Sequence, residues 1–223
     1  MSDIFPKWTN QLPVRIIAGA ILAGTTATAG VWYYFTPKYT RVGYQPIQPV
    51  AFSHATHADQ LGIDCRYCHS AVEKSWYSNV PASSTCMNCH NQVLKDDARL
   101  ALVRESAQPG GQPIPWVQIH KVPDYVYFNH SVHVNRGVSC VECHGQINQM
   151  TEVRHAKPLS MSFCLDCHRN PAARLRPPDK IPDLNWKWSE DPKAAADLQK
   201  TKGKEFVEHW KVQSLQSCSA CHR

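Results

Sequence analysis

CRYCH at residues 65–69 and CMNCH at 86–90 are the first two of five Cys-x-x-Cys-His motifs, and these motifs decide how the chain folds. CVECH at 140–144, CLDCH at 164–168 and CSACH at 218–222 complete the set. In such a motif both thiols bond to the vinyl groups of one haem, and the histidine binds the iron from one side. The sequence therefore predicts five covalently attached c-type haems. The cysteines are Cys65, Cys68, Cys86, Cys89, Cys140, Cys143, Cys164, Cys167, Cys218 and Cys221, and the histidines are His69, His90, His144, His168 and His222.

Zinc and disulfide bonds are the other common uses of paired cysteines. Zinc takes Cys-x-x-Cys pairs two at a time to complete a tetrahedral site. This chain has an odd number of pairs, and zinc does not require a histidine after every second cysteine. Disulfide bonds would also use an even number of cysteines without fixing a histidine beside them. Haem is therefore the predicted ligand. Because bacteria attach c-type haem on the outer side of the cytoplasmic membrane, we expect the motifs in the periplasm.

An uncharged stretch at residues 16–35 is long enough to span the hydrocarbon core of a membrane as a helix. Its last four residues, WYYF, are typical of a membrane interface. ATA at 27–29 resembles a signal-peptide cleavage site, but the sequence retains the segment from Met1 onward, so we expect an uncleaved anchor. Basic residues flank both ends of the stretch equally, so charge does not predict its orientation. The expected periplasmic location of the haem motifs places the N-terminus on the cytoplasmic side. Gly and Ala at four-residue spacing favour contact with a second membrane helix.

The chain repeats a histidine-rich element before each of two pairs of motifs. FSHATH at 52–57 precedes the first and second motifs, and FNHSVH at 128–133 precedes the third and fourth. This duplication predicts two two-haem modules and an added fifth motif. The predicted division is a cytoplasmic flank at 1–12, a transmembrane anchor at 13–36, a linker at 37–50, a first haem module at 51–104, a connector at 105–125, a second haem module at 126–175, and a C-terminal segment with the fifth haem at 176–223.

The part of the chain after the anchor offers roughly 36 residues for each haem, which is too few to build an ordinary side-chain core as well. We therefore expect a mostly irregular and α-helical fold with haem in its core, which resembles that of the multihaem cytochromes c of class III. Helices are expected over 91–104, from Asp191 and Pro192 through Leu198, and over 204–212. No segment alternates regularly enough to predict a sheet.

The formal net charge of +6 does not indicate a nucleic-acid-binding protein. Haem propionates and ferric centres would together bring the loaded protein to about +1. The chain also has no basic tract with interleaved aromatic residues. We therefore expect the positive side chains to balance the negative charge of the haem propionates, and we expect no nucleic-acid partner.

Further histidines are available to bind iron from the opposite side. A histidine on both faces gives six-coordinate, low-spin iron, which is closed to substrates, and the axial ligand is a main determinant of the haem potential. The repeated element supplies four candidates, and three others lie elsewhere, so at least two are spare. For His155 and His209, a haem propionate or a surface water is the alternative partner. In order of preference the candidates are His54, His57, His130 and His133, then His120, then His155 and His209, with Met150 and Met161 as minor alternatives.

These repeated units resemble the multihaem cytochromes c of the c3 and c7 type. The resemblance implies that His54 faces His69 and that His130 faces His144, while the second histidine of each element reaches another haem. Over nearly the whole chain, the anchor, residues 116–130, PLSM at 158–161 and the terminal CSACHR resemble the pentahaem cytochrome c subunits of alternative complex III. This resemblance implies a hetero-oligomeric quinol:acceptor oxidoreductase in a respiratory or photosynthetic membrane. The implied partners are integral-membrane quinol-oxidising subunits, an iron–sulfur or molybdopterin-like subunit, and a monohaem cytochrome c or an oxidase.

An electron-transfer subunit without substrate chemistry of its own is therefore the leading prediction. A tetrahaem-type membrane quinol dehydrogenase with one N-terminal helix is the main alternative, although five motifs and the paired histidine elements disfavour it. A multihaem oxyanion reductase would need a haem with an open position, and no Cys-x-x-Cys-Lys motif occurs. The expected location is the bacterial cytoplasmic membrane, with a single pass and the haem region on the periplasmic side.

Overall fold

The structure is a computed structural model of the 223-residue chain that describes residues 6–35 and 41–222. It divides into two compact units, one extending to Val42 and the other beginning at Gly43. The first unit holds the apolar stretch, and the second holds all five Cys-x-x-Cys-His motifs. Residues 1–5 of the predicted flank, residue 36 of the predicted anchor and residues 37–40 of the predicted linker lie outside the described residues.

The first unit is dominated by one apolar helix. A 3₁₀ turn at Lys7–Gln11 leads into α1 at Leu12–Phe35. Its threonines satisfy their hydroxyl groups within the helix, since the Thr28 hydroxyl donates to the Gly24 carbonyl at 2.8 Å. At a rise of 1.5 Å per residue, α1 is about 36 Å long, which exceeds the roughly 30 Å of a hydrocarbon core. By length and composition, the helical stretch Lys7–Tyr34 is long and apolar enough to cross a membrane.

The second unit is built from short helices joined by turns. In three of them the helix begins at the first cysteine of a Cys-x-x-Cys motif, and in two the motif lies near the end of the helix. A π-helical turn at Ala55–Gln60 contains part of the first repeated element. The α-helices described in this unit are α2 (Cys65–Cys68), α3 (Ser83–His90), α4 (Ala101–Ser106), α5 (His130–Val134), α6 (Cys140–His144), α7 (Met161–Arg169), α8 (Pro192–His209) and α9 (Cys218–Cys221). Short 3₁₀ helices lie at Ala98–Leu100, Ile147–Gln149, Pro171–Ala173 and Pro178–Lys180.

Polar capping residues explain where several of these helices begin. The Asp64 carboxylate accepts a hydrogen bond from the Arg66 amide at 2.8 Å, which starts α2. Asp191 caps α8 by accepting from the Ala194 amide at 3.2 Å, and Pro192 occupies the first helical position. The predicted start of α8 is therefore confirmed.

Two predicted helices were wrong in extent. The expected continuous helix over 91–104 does not form, because Leu94 has a left-handed backbone with φ of 54° that ends regular helical geometry. Asp97 then caps a new 3₁₀ turn by accepting from the Arg99 amide at 2.8 Å, and α4 follows. The expected separate helix over 204–212 is instead the second half of α8, which ends at His209.

Apolar packing within the second unit is sparse. The described residues contain no β-strand, only isolated bridges between Val126 and His222 and between Val138 and Leu175. The prediction of a mostly irregular and helical fold without a sheet is confirmed. Few apolar side chains are fully buried, which fits a fold whose interior accommodates cofactors. The buried apolar residues are Val50, Val103, Ile119, Val134, Met150, Leu175, Ile181 and Leu184.

Candidate haem-binding sites

Each Cys-x-x-Cys pair lies on helical backbone. Cys65 and Cys68 are the first and last residues of α2, and Cys218 and Cys221 have the same places in α9. Residues three apart on a helix project from the same side. The two thiols of a pair can therefore reach one ligand together, and all ten thiols are free of disulfide bonds.

Several motif histidines have their ring orientation set by a backbone carbonyl. A carbonyl oxygen can only accept, so the Nδ1 atom that contacts it carries the proton and Nε2 keeps its lone pair. This is the arrangement that a metal-binding imidazole needs. The Nδ1 contacts run from His69 to the Asn79 carbonyl at 2.7 Å, from His90 to Val93 at 2.9 Å, and from His222 to Tyr125 at 3.3 Å.

The two repeated elements orient their second histidine in the same way. His57 Nδ1 donates to the Ser53 carbonyl at 2.8 Å, and Phe52 stacks on the His57 ring with centroids 4.4 Å apart. In the second element, His133 Nδ1 donates to the Asn129 carbonyl at 2.8 Å. The internal repeat is therefore structural as well as sequential.

The phenylalanine of each element contacts both of its histidines. Phe128 stacks on His133 with centroids 4.6 Å apart and meets His130 edge-on at 4.8 Å. Phe52 meets His54 edge-on at 4.9 Å. Sequence reasoning gave these phenylalanines no role, although their matching positions in the two elements were a usable signal.

The second histidine of each element faces a motif histidine at a distance suited to a shared iron. The ring centroids of His57 and His90 are 6.2 Å apart, and those of His133 and His168 are also 6.2 Å apart. Two imidazoles that bind one metal ion from opposite sides, each at a metal–nitrogen distance of about 2.0 Å, place their centroids roughly 6 Å apart. These residues fit a haem iron between them.

Four histidines surround the third motif. His130 lies 6.5 Å from His144 with an interplanar angle of 9°, whereas His120 lies only 4.3 Å from His144. His155, which is 1% exposed, lies 5.1 Å from His120. The distance to His130 fits an iron between the two rings, and the shorter distance to His120 does not. Burial, followed by the neighbouring imidazoles, lowers the pKa of His144 well below its usual range, which keeps its lone pair available.

The remaining predicted ligands occupy different surroundings. Burial, with smaller contributions from His69 and His57, lowers the pKa of His54 to about 4. His54 is therefore a neutral ring near the first motif. His209 is exposed at the end of α8. Met150 is buried, and Met161 is 68% exposed at the start of α7.

Ion pairs join neighbouring motifs, and sequence reasoning did not find them. The Arg174 guanidinium contacts Glu142 at 3.1 Å and Asp166 at 3.3 Å. Glu142 lies inside CVECH, and Asp166 lies inside CLDCH. No local pattern marks Arg174, because its partners are brought to it only by the fold.

Five helical Cys-x-x-Cys-His motifs with facing imidazoles define the class of a multihaem c-type cytochrome. The chain belongs to the family of cytochrome c7 and related cytochrome c, whose sequence model matches residues 50–107 and 126–223. Membership of this family implies covalently bound c-type haem.

The chain is also similar to a protein of Nitratidesulfovibrio vulgaris Hildenborough, a "menaquinone reductase, multiheme cytochrome c subunit". The two sequences are 33% identical over 100 residues, which cover 45% of this chain and 47% of that relative. The aligned region therefore spans about half the length of each protein.

Proposed function

We propose that this chain is a membrane-anchored pentahaem cytochrome c that relays electrons from a quinol-oxidising module to a periplasmic cytochrome c or a terminal oxidase. The observation that carries the proposal is two pairs of facing imidazoles, His57 with His90 and His133 with His168. The ring centroids of each pair are 6.2 Å apart. Such pairs close both faces of an iron and leave no position for a substrate. The similarity to a menaquinone reductase subunit supports a quinone-linked role.

The haems supply one-electron chemistry between ferric and ferrous iron, and the protein residues hold and tune them. The ten cysteines would form the thioether bonds, and the five motif histidines would bind the iron from one side. His54, His57, His130 and His133 would bind from the other side of the first four sites. His120 and His155 lie beside the third motif and would support it, His209 is spare, and no residue is assigned opposite His222 at the fifth site.

The anchor and the partners complete this proposal. We assign α1 as a single pass through the bacterial cytoplasmic membrane, with the haem region on the periplasmic side. The chain would then be a subunit of a hetero-oligomeric complex of the alternative complex III type. Its partners would be integral-membrane quinol-oxidising subunits, an iron–sulfur or molybdopterin-like subunit, and a monohaem cytochrome c or an oxidase.

Purification under mild detergent tests the proposal. We expect mass spectrometry of the mature chain to show five bound haems, optical and resonance spectra to show low-spin iron at the first four sites, and membrane and iron–sulfur subunits to co-purify. Fewer than five haems, or high-spin iron at any of the first four sites, would contradict the relay function. If the chain purified alone oxidised quinol directly, the quinol dehydrogenase alternative would replace it.

A further inference from the structure

The first and second motifs touch each other directly. Tyr67 is the middle residue of CRYCH, and Asn88 is the middle residue of CMNCH. The Asn88 side-chain amide donates to the Tyr67 hydroxyl at 2.9 Å. These two motifs are therefore neighbours in space as well as in sequence.

The first and third motifs share one anchoring segment. The Cys65 thiol contacts the Pro182 carbonyl at 3.9 Å, and the Ser139 hydroxyl donates to the Ile181 carbonyl at 2.7 Å. Ser139 directly precedes Cys140 and is 1% exposed. Two consecutive carbonyls thus lie beside the starts of CRYCH and CVECH, which places these two motifs next to each other.

The loop after the first motif also holds the second repeated element. The Trp76 carbonyl accepts from His130 Nδ1 at 2.8 Å. The Glu73 carbonyl accepts from the Asn135 side chain at 2.9 Å. The second module is therefore joined to the first motif.

The third, fourth and fifth motifs follow in sequence order. Arg174 links the third and fourth through Glu142 and Asp166. The Ser214 hydroxyl, just before the fifth motif, donates to the His168 carbonyl of the fourth. The contacts described run without a break from the second motif to the fifth.

We propose that the five haem sites form a row in the spatial order second, first, third, fourth, fifth, so that the second and fifth sites are its two ends. This inference rests on the proposed relay function, and it deepens that function by naming where redox partners meet the chain. The order departs from the sequence only at the first two motifs, whose places are exchanged.

The exposure of the thiols agrees with this order. Cys89 of the second motif and Cys218 of the fifth are the two cysteines that are exposed, and the other eight are partly buried. Sites at the ends of a row have a neighbour on one side only, so their attachment residues remain open to solvent and to partner proteins. A redox partner is therefore expected to dock beside Cys89 or Cys218.

A haem-resolved redox titration of the full-length holoprotein tests the order. His57→Met alters the second site, and His54→Met alters the first. A methionine ligand raises the potential of its own haem, and the changed charge at that site then shifts the potentials of adjacent haems. We expect His57→Met to shift the reduction potential of one other haem, and His54→Met to shift the potentials of two others.

The opposite count, two for His57→Met and one for His54→Met, would overturn the order while leaving the relay function intact. The removal of one haem gives a second readout that does not depend on the assigned distal ligands. Cys86→Ala with Cys89→Ala should shift one remaining haem, and Cys65→Ala with Cys68→Ala should shift two. A wild-type protein with fewer than five haems, or with high-spin iron at any of the first four sites, would instead contradict the relay function itself.

Discussion

The imidazole of His133 lies 6.2 Å from the imidazole of His168, centroid to centroid, at an interplanar angle of 80°. The same distance separates His57 from His90 in the first module. In both modules the second histidine of the repeated element therefore faces the second motif of the same module. The two copies of the repeated element thus place their second histidine in the same geometry, which a chance repeat of histidines would not do.

Removal of either facing histidine should open one iron. We expect His57→Ala and His133→Ala each to convert about one fifth of the haem to high-spin iron, because one of five sites loses its sixth ligand. Electron paramagnetic resonance of the oxidised protein measures this fraction. His209→Ala is the matched control, since His209 is exposed at the end of α8, and it should leave the spectrum unchanged. An unchanged spectrum in both test variants would exclude these histidines as ligands.

Phe128 should stabilise the second element through its contacts with two histidines. Phe128→Ala removes the stacking on His133 and the edge contact with His130, so we expect a loss of about 1–3 kcal/mol in the free energy of unfolding. Denaturant titration of the holoprotein measures this loss. Phe128→Leu keeps part of the apolar contact and should lose less. Equal stability of the alanine and leucine variants would show that the ring contributes little.

Gly203 should be intolerant of any side chain. It is buried in α8, and a Cβ atom there would overlap the Ala172 carbonyl oxygen. Gly203→Ala should therefore separate α8 from the Pro171–Ala173 turn and destabilise the protein by about 1–3 kcal/mol. The exposed Lys204→Ala on the same helix should change stability by less than about 0.5 kcal/mol. Thermal unfolding compares the two, and equal melting temperatures would contradict this packing.

Arg174 should influence the potentials of the third and fourth haems. Its positive charge lies against residues inside both motifs, and a nearby cation disfavours the ferric form. Arg174→Gln should therefore lower the potentials of these two sites, while stability falls by less than about 1 kcal/mol because the pair is partly exposed. Arg99→Gln is the control, since Arg99 pairs with Asp97 near the protein surface. Redox titration measures both variants, and equal shifts would assign the effect to net charge alone.

The helices show where local sequence was sufficient. Asp191 and Pro192 predicted the start of α8, because a capping carboxylate and a proline at the first helical position act within one turn. The apolar positions over 91–104 predicted one continuous helix, of which only the C-terminal part forms. A left-handed residue at Leu94 interrupts it, and the sequence carries no marker of that conformation, since leucine rarely adopts it.

The sequence by itself determined the cofactor chemistry, because thioether formation and proximal ligation depend on residues that are adjacent in the chain. It also determined the apolar helix and the presence of two similar histidine-rich elements. The tertiary structure decided which histidine faces which motif and which motifs are neighbours. His57 meets His90, and Cys65 shares an anchoring segment with Ser139, through contacts between residues far apart in the chain. Such contacts arise only when the chain is folded, so no local spacing could have specified them.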